Sequence, residues 1–348
     1  MSLDRANAYA LIMAFPDFYT FPDGGWHIWV CKKLGLIKQG LVPGGHAAMA
    51  FIHKETGQIE YADLGRYTSP KGKARLRTRN TDPDLTIDLK AEFDSEGNLL
   101  NKAEILRYFD DRRDLVQSIG AMYASFCSKI NYEEAKAYMA YLESLGNVSY
   151  NVFGKENINC ARFVRRALLK SVVDKSIYRK LKYTVEPSPC PLGNAILGAS
   201  PSELFRIWQG EITLEKRSLV RLMAKYFFSN SPNEHNIKYT SPNGEFDPPS
   251  QPVEFPDAQW LGGFGGGAWF NLEKPAHLSD QSLYRIRQIN KKNKVVFDYL
   301  FEVDDLSFDI NQPFEVTYDS TALFCTVIQG DKYYIFDYKM QYSDSMVY

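Results

Sequence analysis

The sequence predicts an α+β protein in which helices pack on a small antiparallel sheet and a small all-β domain follows. Up to about residue 199, segments with apolar residues at steps of three and four are mixed with strand-like runs. From Trp260 onward, nearly every segment has the alternating pattern of a strand. At 348 residues the chain is too long for one ordinary core, so we expect a first domain over 1–199, a helical segment and linker over 200–256, and an all-β domain over 257–348.

The composition is that of a folded globular chain, with 45% hydrophobic and 24% charged residues. The formal net charge is -1, which excludes a global basic field that would hold a nucleic acid by counterion release. We therefore expect no nucleic-acid partner. No run of about 18 apolar residues is present, so we expect no membrane span.

The N-terminal segment "MSLDRANAYALIMAFPDFY" lacks the charge pattern and the small-residue cleavage site of a secretory signal. We expect a cytoplasmic location. A leader removed earlier would leave the same sequence.

The elements of the first part begin with a hairpin. Small and apolar residues run up to Ile52, a polar turn follows at 54–57, and a second strand covers 58–64. A strand-like segment at 84–94 comes next. Helical spacing then covers 101–130 and 131–146, the second segment starting with Asn131 as its cap.

Another helix is predicted to begin at Cys160, with Asn159 as its cap and an apolar face that includes Phe163 and Leu168. Three prolines and a glycine interrupt regular structure over 185–194. Helical patterns return at 200–208 and 215–228, and a linker follows over 229–256. The last part contains six strand-like segments, at 260–272, 282–290, 294–303, 313–318, 322–330 and 332–340.

Five cysteines are spread along the chain without a CxxC pair, which argues against a disulfide framework and a zinc site. Neither a metal nor a cofactor is expected. Cys160 differs from the others because it would occupy the first turn of a helix, where backbone N–H groups favour a thiolate. The remaining cysteines lack such surroundings and are interpreted as packing residues. They are Cys31, Cys127, Cys190 and Cys325.

A cysteine nucleophile needs a base, and His46 is the candidate. It follows two glycines and opens a strand of small residues, "HAAMAF", over which a helix could approach closely. If Lys54 pairs with Gly57 in the hairpin, Asp63 lies diagonally beside His46 and can orient the imidazole. A slip or bulge of one residue would bring Glu60 there instead, so Glu60 stays as the alternative.

The order of these motifs resembles a known family. The chain has Gly-His at a strand start, then a polar residue on the next strand, and later "NCARFV" at the start of a helix. This order is similar to that of the circularly permuted branch of the NlpC-type papain-like superfamily, which includes lecithin retinol acyltransferase. The resemblance covers about residues 25–175. It implies a permuted papain-like first domain in which Cys160 is the nucleophile, His46 the base and Asp63 or Glu60 the orienting residue.

These residues together predict a thiol hydrolase of the peptidase or amidase type that cleaves a peptide, amide or ester bond through an acyl-enzyme on Cys160. Asn159 would support the helix start, and the backbone N–H of Cys160 would help to hold the oxyanion. Three alternatives stay open. They are a lipid acyltransferase, an exported peptidoglycan amidase, and an inactive binding or scaffold protein, for which the C-terminal β domain could contact a protein partner.

Two further motifs have simpler interpretations. The glycines of Gly262–Gly267 lack the Lys-Ser or Lys-Thr of a phosphate loop and are expected to form bends or bulges in a strand. The basic residues of Lys71–Arg79 are expected to form a solvated loop.

Overall fold

The computed structural model describes residues 6–17, 19–20, 33, 42–43, 45–116, 118–151, 157–184, 189–224 and 246–343, and Cys31 lies outside these ranges. The chain divides into two compact units. The first is drawn from Met1–Gly65, Thr86–Leu145 and Ser149–Pro242, and the second from Arg66–Leu85, Gly146–Val148 and Asn243–Tyr348. The division into a first domain over 1–199, a helical segment and linker over 200–256 and an all-β domain over 257–348 stays a prediction.

The helices that are described over their full length lie between residues 83 and 224. They are a 3-10 turn at Pro83–Leu85, α1 (Lys102–Asp111), α2 (Arg113–Val116), α3 (Tyr132–Ser144), α4 (Cys160–Ser171), α5 (Lys175–Tyr183), α6 (Pro191–Leu197) and α7 (Leu219–Ala224). The capping predictions are confirmed, because Asn131 accepts a hydrogen bond from the Glu134 N–H and Asn159 accepts one from the Arg162 N–H.

The strands fall into two groups along the chain. The earlier ones are β1 (Ala8–Phe15), β2 (Tyr19–Thr20), β3 (Val42–Pro43), β4 (His46–His53), β5 (Ile59–Gly65), β6 (Lys73–Arg77), β7 (Met122–Ile130), β8 (Val148–Ser149), β9 (Phe205–Trp208) and β10 (Glu211–Leu214). The later ones are β11 (Gln259–Leu261), β12 (Ala268–Glu273), β13 (Leu283–Asn290), β14 (Val295–Val303), β15 (Glu315–Val316), β16 (Phe324–Gln329) and β17 (Lys332–Gln341).

The α+β class is confirmed. In the first unit, six strands lie side by side in the order β10, β9, β7, β1, β4, β5, and each neighbouring pair is antiparallel. Every residue of β1 is buried, which places this strand in the middle of the core. The helix α4 packs on β4 and β5, whereas α6 packs on β1 and β7. The start of α4 is thereby held next to β4.

Three predictions of local structure are wrong. Residues 122–130 form the strand β7 rather than a helix, and residues 205–214 form the hairpin of β9 and β10. Most of β7 is buried, and a strand that is covered on both faces loses the alternation that identifies strands in a sequence. Residues 84–94 form no strand beyond a single bridge between Phe93 and Leu99.

A helix also starts inside the segment 185–194, where the sequence indicated only a break. Pro191 is the first residue of α6, and the Cys190 thiol accepts a hydrogen bond from the Gly193 N–H at 3.2 Å. Proline suits this position because the first N–H of a helix has no partner within the helix.

The second unit contains the predicted all-β domain, an antiparallel sheet in the order β11, β12, β13, β14, β17, β16, β15. One side chain links the two end strands. The Gln259 amide donates to the Phe314 carbonyl and accepts from the Val316 N–H, both at 2.9 Å. The sheet therefore closes nearly into a barrel around a core that includes Phe301 and Phe336.

The basic segment of the second unit is not a solvated loop throughout. Arg75 is buried and makes two hydrogen bonds to the Asp82 carboxylate, at 2.6 and 2.7 Å. Arg77 is also buried and lies over the Tyr67 ring, with 3.7 Å between the guanidinium carbon and the ring centroid. For these two arginines, the prediction of a solvated loop is wrong.

The β4–β5 turn ends at Gly57, whose φ is +68° and whose added Cβ would lie 2.4 Å from the Ala91 carbonyl oxygen. We expect Gly57→Ala to lower the free energy of unfolding by about 2–5 kcal/mol, from about 1–2 kcal/mol of left-handed strain and about 1–3 kcal/mol of steric overlap. Urea unfolding measures this change.

Gly97→Ala is the matched control, because Gly97 has φ +79° and no atom within 4 Å of an added Cβ. This variant should lose only the strain of about 1–2 kcal/mol. Equal losses in the two variants would show that the contact with Ala91 contributes nothing.

Candidate active site

His46 opens β4 and lies opposite Phe15 of β1 in the strand pairing. The two rings stack with centroids 6.1 Å apart, and the His46 side chain is buried. The imidazole is thus held in one orientation at the end of two central strands.

Asp63 is the carboxylate beside this histidine. The predicted hairpin register is confirmed, with Ala48 opposite Asp63 and Phe51 opposite Glu60. Asp63 is 0% exposed, and its Oδ2 lies 3.4 Å from His46 Nε2. Glu60 is three residues away along the same strand, so its side chain points to the opposite face. The structure therefore brings Asp63, rather than Glu60, to His46.

Cys160 is the first residue of α4, and its thiol is hydrogen-bonded to the His46 side chain. The backbone N–H groups of Ala47 and Ala161 also reach the sulfur. Asn159 sets the start of the helix by accepting from the Arg162 N–H at 2.8 Å. The described structure thus brings Cys160, His46 and Asp63 together in one line of contacts.

The electrostatics of the site favour an ion pair. Burial opposes the charged form of both groups. It is outweighed at Cys160 by the hydrogen bond and charge of His46, with help from the two backbone N–H groups, so the pKa of the thiol is lowered. Burial is likewise outweighed at His46 by its hydrogen bonds to Asp63 and Cys160, which raise the pKa of the imidazole to about 9. Thiolate and imidazolium can therefore coexist at neutral pH.

The other described cysteines lie in different surroundings. Burial raises the pKa of Cys127 to about 11 and that of Cys325 to about 12, so both stay protonated at neutral pH. Cys190 is half-buried and caps α6. Within the described ranges, no group of three or more His, Cys, Asp or Glu side chains is arranged to hold a metal ion.

Two supporting residues were missed in the sequence. Asn194 of α6 is 0% exposed, donates to the Ala161 carbonyl and accepts from the Arg165 guanidinium, both at 2.7 Å, so it fixes the first turn of α4. Tyr61 donates from its hydroxyl to Asp63 Oδ2 at 2.9 Å. Its position two residues before Asp63 on one strand face was a usable signal. No local pattern indicates the partners of Asn194.

A thiol at a helix N-terminus, an imidazole and a buried carboxylate form the arrangement that activates a cysteine nucleophile. Two family models match parts of this chain. Residues 10–177 match the model of the type VI secretion system effector TseH-like family, and this range includes His46, Asp63 and Cys160. Residues 258–339 match the model described as DUF6695 C-terminal domain.

Among solved structures, the chain is similar to the crystal structure of the type VI secretion system effector TseH. The match has 16% sequence identity and a TM-score of 0.38, and it covers 60% of this chain and 98% of that chain. A comparison with curated proteins gave no match. No helix in the described ranges is long and apolar enough to cross a membrane.

The lowered pKa of Cys160 predicts fast alkylation by iodoacetamide below neutral pH. In His46→Ala the thiol loses the partner that outweighs its burial, so its pKa should rise and its rate at pH 6 should fall by about 100-fold or more. Mass spectrometry of each cysteine against pH measures this. The rates at Cys127 and Cys325 serve as internal references and should not change. An unchanged Cys160 rate would contradict the pairing.

The role of Asp63 predicts that its removal also slows alkylation of Cys160 at acid pH, but by less than in His46→Ala. In Asp63→Asn the imidazolium loses its carboxylate, so the acid limb of the Cys160 alkylation profile should move up by about one pH unit, a tenfold lower rate on that limb. Glu60→Gln is the matched control on the same strand and should leave the limb in place. The reverse result would assign the orienting role to Glu60.

Proposed function

We propose that this protein is a thiol hydrolase of the peptidase or amidase type, with its active site in the first unit. The observation that carries the proposal is the hydrogen bond between the Cys160 thiol and the His46 imidazole, with Asp63 behind it. Such a pair supplies a nucleophile at neutral pH and a proton donor for the leaving group.

The chemistry follows from the positions of the groups. The Cys160 thiolate attacks the carbonyl carbon, the new S–C bond forms, and the carbonyl electrons move to oxygen. The backbone N–H of Cys160 would help to hold this oxyanion. The His46 imidazolium gives its proton to the leaving amine as the C–N bond breaks, which leaves a thioester on Cys160.

Water completes the cycle. His46, now neutral, takes a proton from the water that attacks the thioester and keeps it as the S–C bond breaks, so the acid product leaves and the thiolate–imidazolium pair is restored. Asp63 keeps the imidazole oriented through both steps and stays ionised. Asn159 keeps the start of α4 in place by capping it. No residue outside this set is needed for the proton transfers.

The order of the elements also supports the proposal. The strand of His46 precedes the helix of Cys160 in the chain, as in the permuted branch of the NlpC-type papain-like superfamily. The match of residues 10–177 to the TseH-like effector family covers both elements. We propose that the first unit acts as an effector of this kind and takes a peptide or amide substrate.

An acyl-enzyme can be tested with p-nitrophenyl acetate, a small activated ester. The protein should release p-nitrophenolate in a burst equal to the enzyme concentration and gain one acetyl group on Cys160 by intact mass. Cys160→Ser should abolish the burst and lower the steady rate by about 1000-fold or more, because the nucleophile of the covalent step is lost.

Cys325→Ala is the control, since its thiol lies in the second unit and is fully buried. It should retain the burst. Acetyl transfer to an added amine or alcohol in preference to water would indicate an acyltransferase. An acetylation rate at Cys160 no faster than that of a free thiol would contradict turnover and favour a binding protein.

A further inference from the structure

We propose that Tyr61 is a positioning residue that holds the Asp63 carboxylate against His46, an inference that rests on the proposed function. Tyr61 lies on β5 two residues before Asp63, so both side chains project from the same face of the strand. Its hydroxyl donates to Asp63 Oδ2 at 2.9 Å, and the residue is 2% exposed.

The hydrogen bond reaches the same carboxylate oxygen that faces the histidine. Asp63 Oδ2 is 2.9 Å from the Tyr61 hydroxyl and 3.4 Å from His46 Nε2. A donor on this oxygen limits rotation of the carboxylate and thereby fixes the atom that the imidazole meets. Because hydrogen bonding to a carboxylate favours its charged form, the phenol also helps Asp63 to stay ionised while it is fully buried.

The phenol is itself held in place by the helix behind it. The Tyr61 ring stacks on Phe109 of α1 with centroids 5.9 Å apart and planes 29° apart, and Phe109 is fully buried. A chain of contacts thus runs from α1 through Tyr61, Asp63 and His46 to Cys160.

Tyr61→Phe tests the proposal because it removes the hydroxyl and keeps the ring. Without this donor, Asp63 is less well held and less well stabilised as a carboxylate, so imidazolium and thiolate should both be less favoured. The acid limb of Cys160 alkylation should move up by about one pH unit, and the acid limb of kcat/KM for p-nitrophenyl acetate should move with it.

Tyr9→Phe is the matched control. Tyr9 is a buried tyrosine on β1 whose hydroxyl donates to the Gly97 carbonyl at 3.1 Å. Its variant also loses one hydrogen bond but should keep the wild-type pH profile. Thermal unfolding of both variants separates a general loss of stability from the shift of the limb.

A second variant covers the case in which Tyr61→Phe does not fold. Site-specific replacement of Tyr61 by 3-fluorotyrosine keeps the hydroxyl and makes it a stronger donor. Because a stronger donor changes the charge on Asp63 Oδ2, the acid limb should move measurably, whereas a residue with only a packing role would leave it in place.

The outcomes separate this inference from the proposed function. If Tyr61→Phe leaves the limb in place or lowers it while Cys160→Ser abolishes the burst, Tyr61 has only a packing role and the hydrolase proposal stands. If the wild type shows no His46-dependent alkylation, the proposed function fails and the inference fails with it.

Discussion

The hydrogen bond between His46 and Cys160 can form only because the start of a helix and the start of a strand lie almost in backbone contact. The backbone N–H of Ala47 reaches the Cys160 sulfur, which shows how closely α4 approaches β4. Alanines at 48 and 50, on the same strand face as His46, make this approach feasible, since a larger side chain facing α4 would hold the helix away from the strand. The chemistry of the site thus depends on a packing constraint that is set by small residues.

Burial makes each charged group of the site depend on the next one. A thiolate, an imidazolium and a carboxylate are all costly away from water unless each has a partner. The thiolate has His46, the imidazolium has Asp63, and the carboxylate has the Tyr61 hydroxyl. Because Asp63 is fully buried, water cannot replace a lost partner there. Removal of one group should therefore make the charged forms of the neighbouring groups less stable.

The framework around the site comes from distant parts of the chain. Asn194 of α6 fixes the first turn of α4 through Ala161 and Arg165, whereas the turn at Gly57 sets the register that brings Asp63 to His46. In the second unit, by contrast, neighbouring strands mostly follow one another along the chain. Most of its strands could be predicted from alternation, but the predicted segment 260–272 is divided into β11 and β12.

The sequence by itself favoured the β4–β5 register that pairs Ala48 with Asp63, and it predicted the capping of α4 by Asn159 and most of the later strands, because turn residues, caps and alternation act over a few neighbouring residues. It did not determine that Met122–Ile130 is a strand, because a buried central strand carries no alternation. Only the tertiary structure placed Cys160 against His46 and Asn194 behind Ala161. These contacts join residues far apart in the chain, and long-range packing, which local periodicity does not encode, decides which side chains meet.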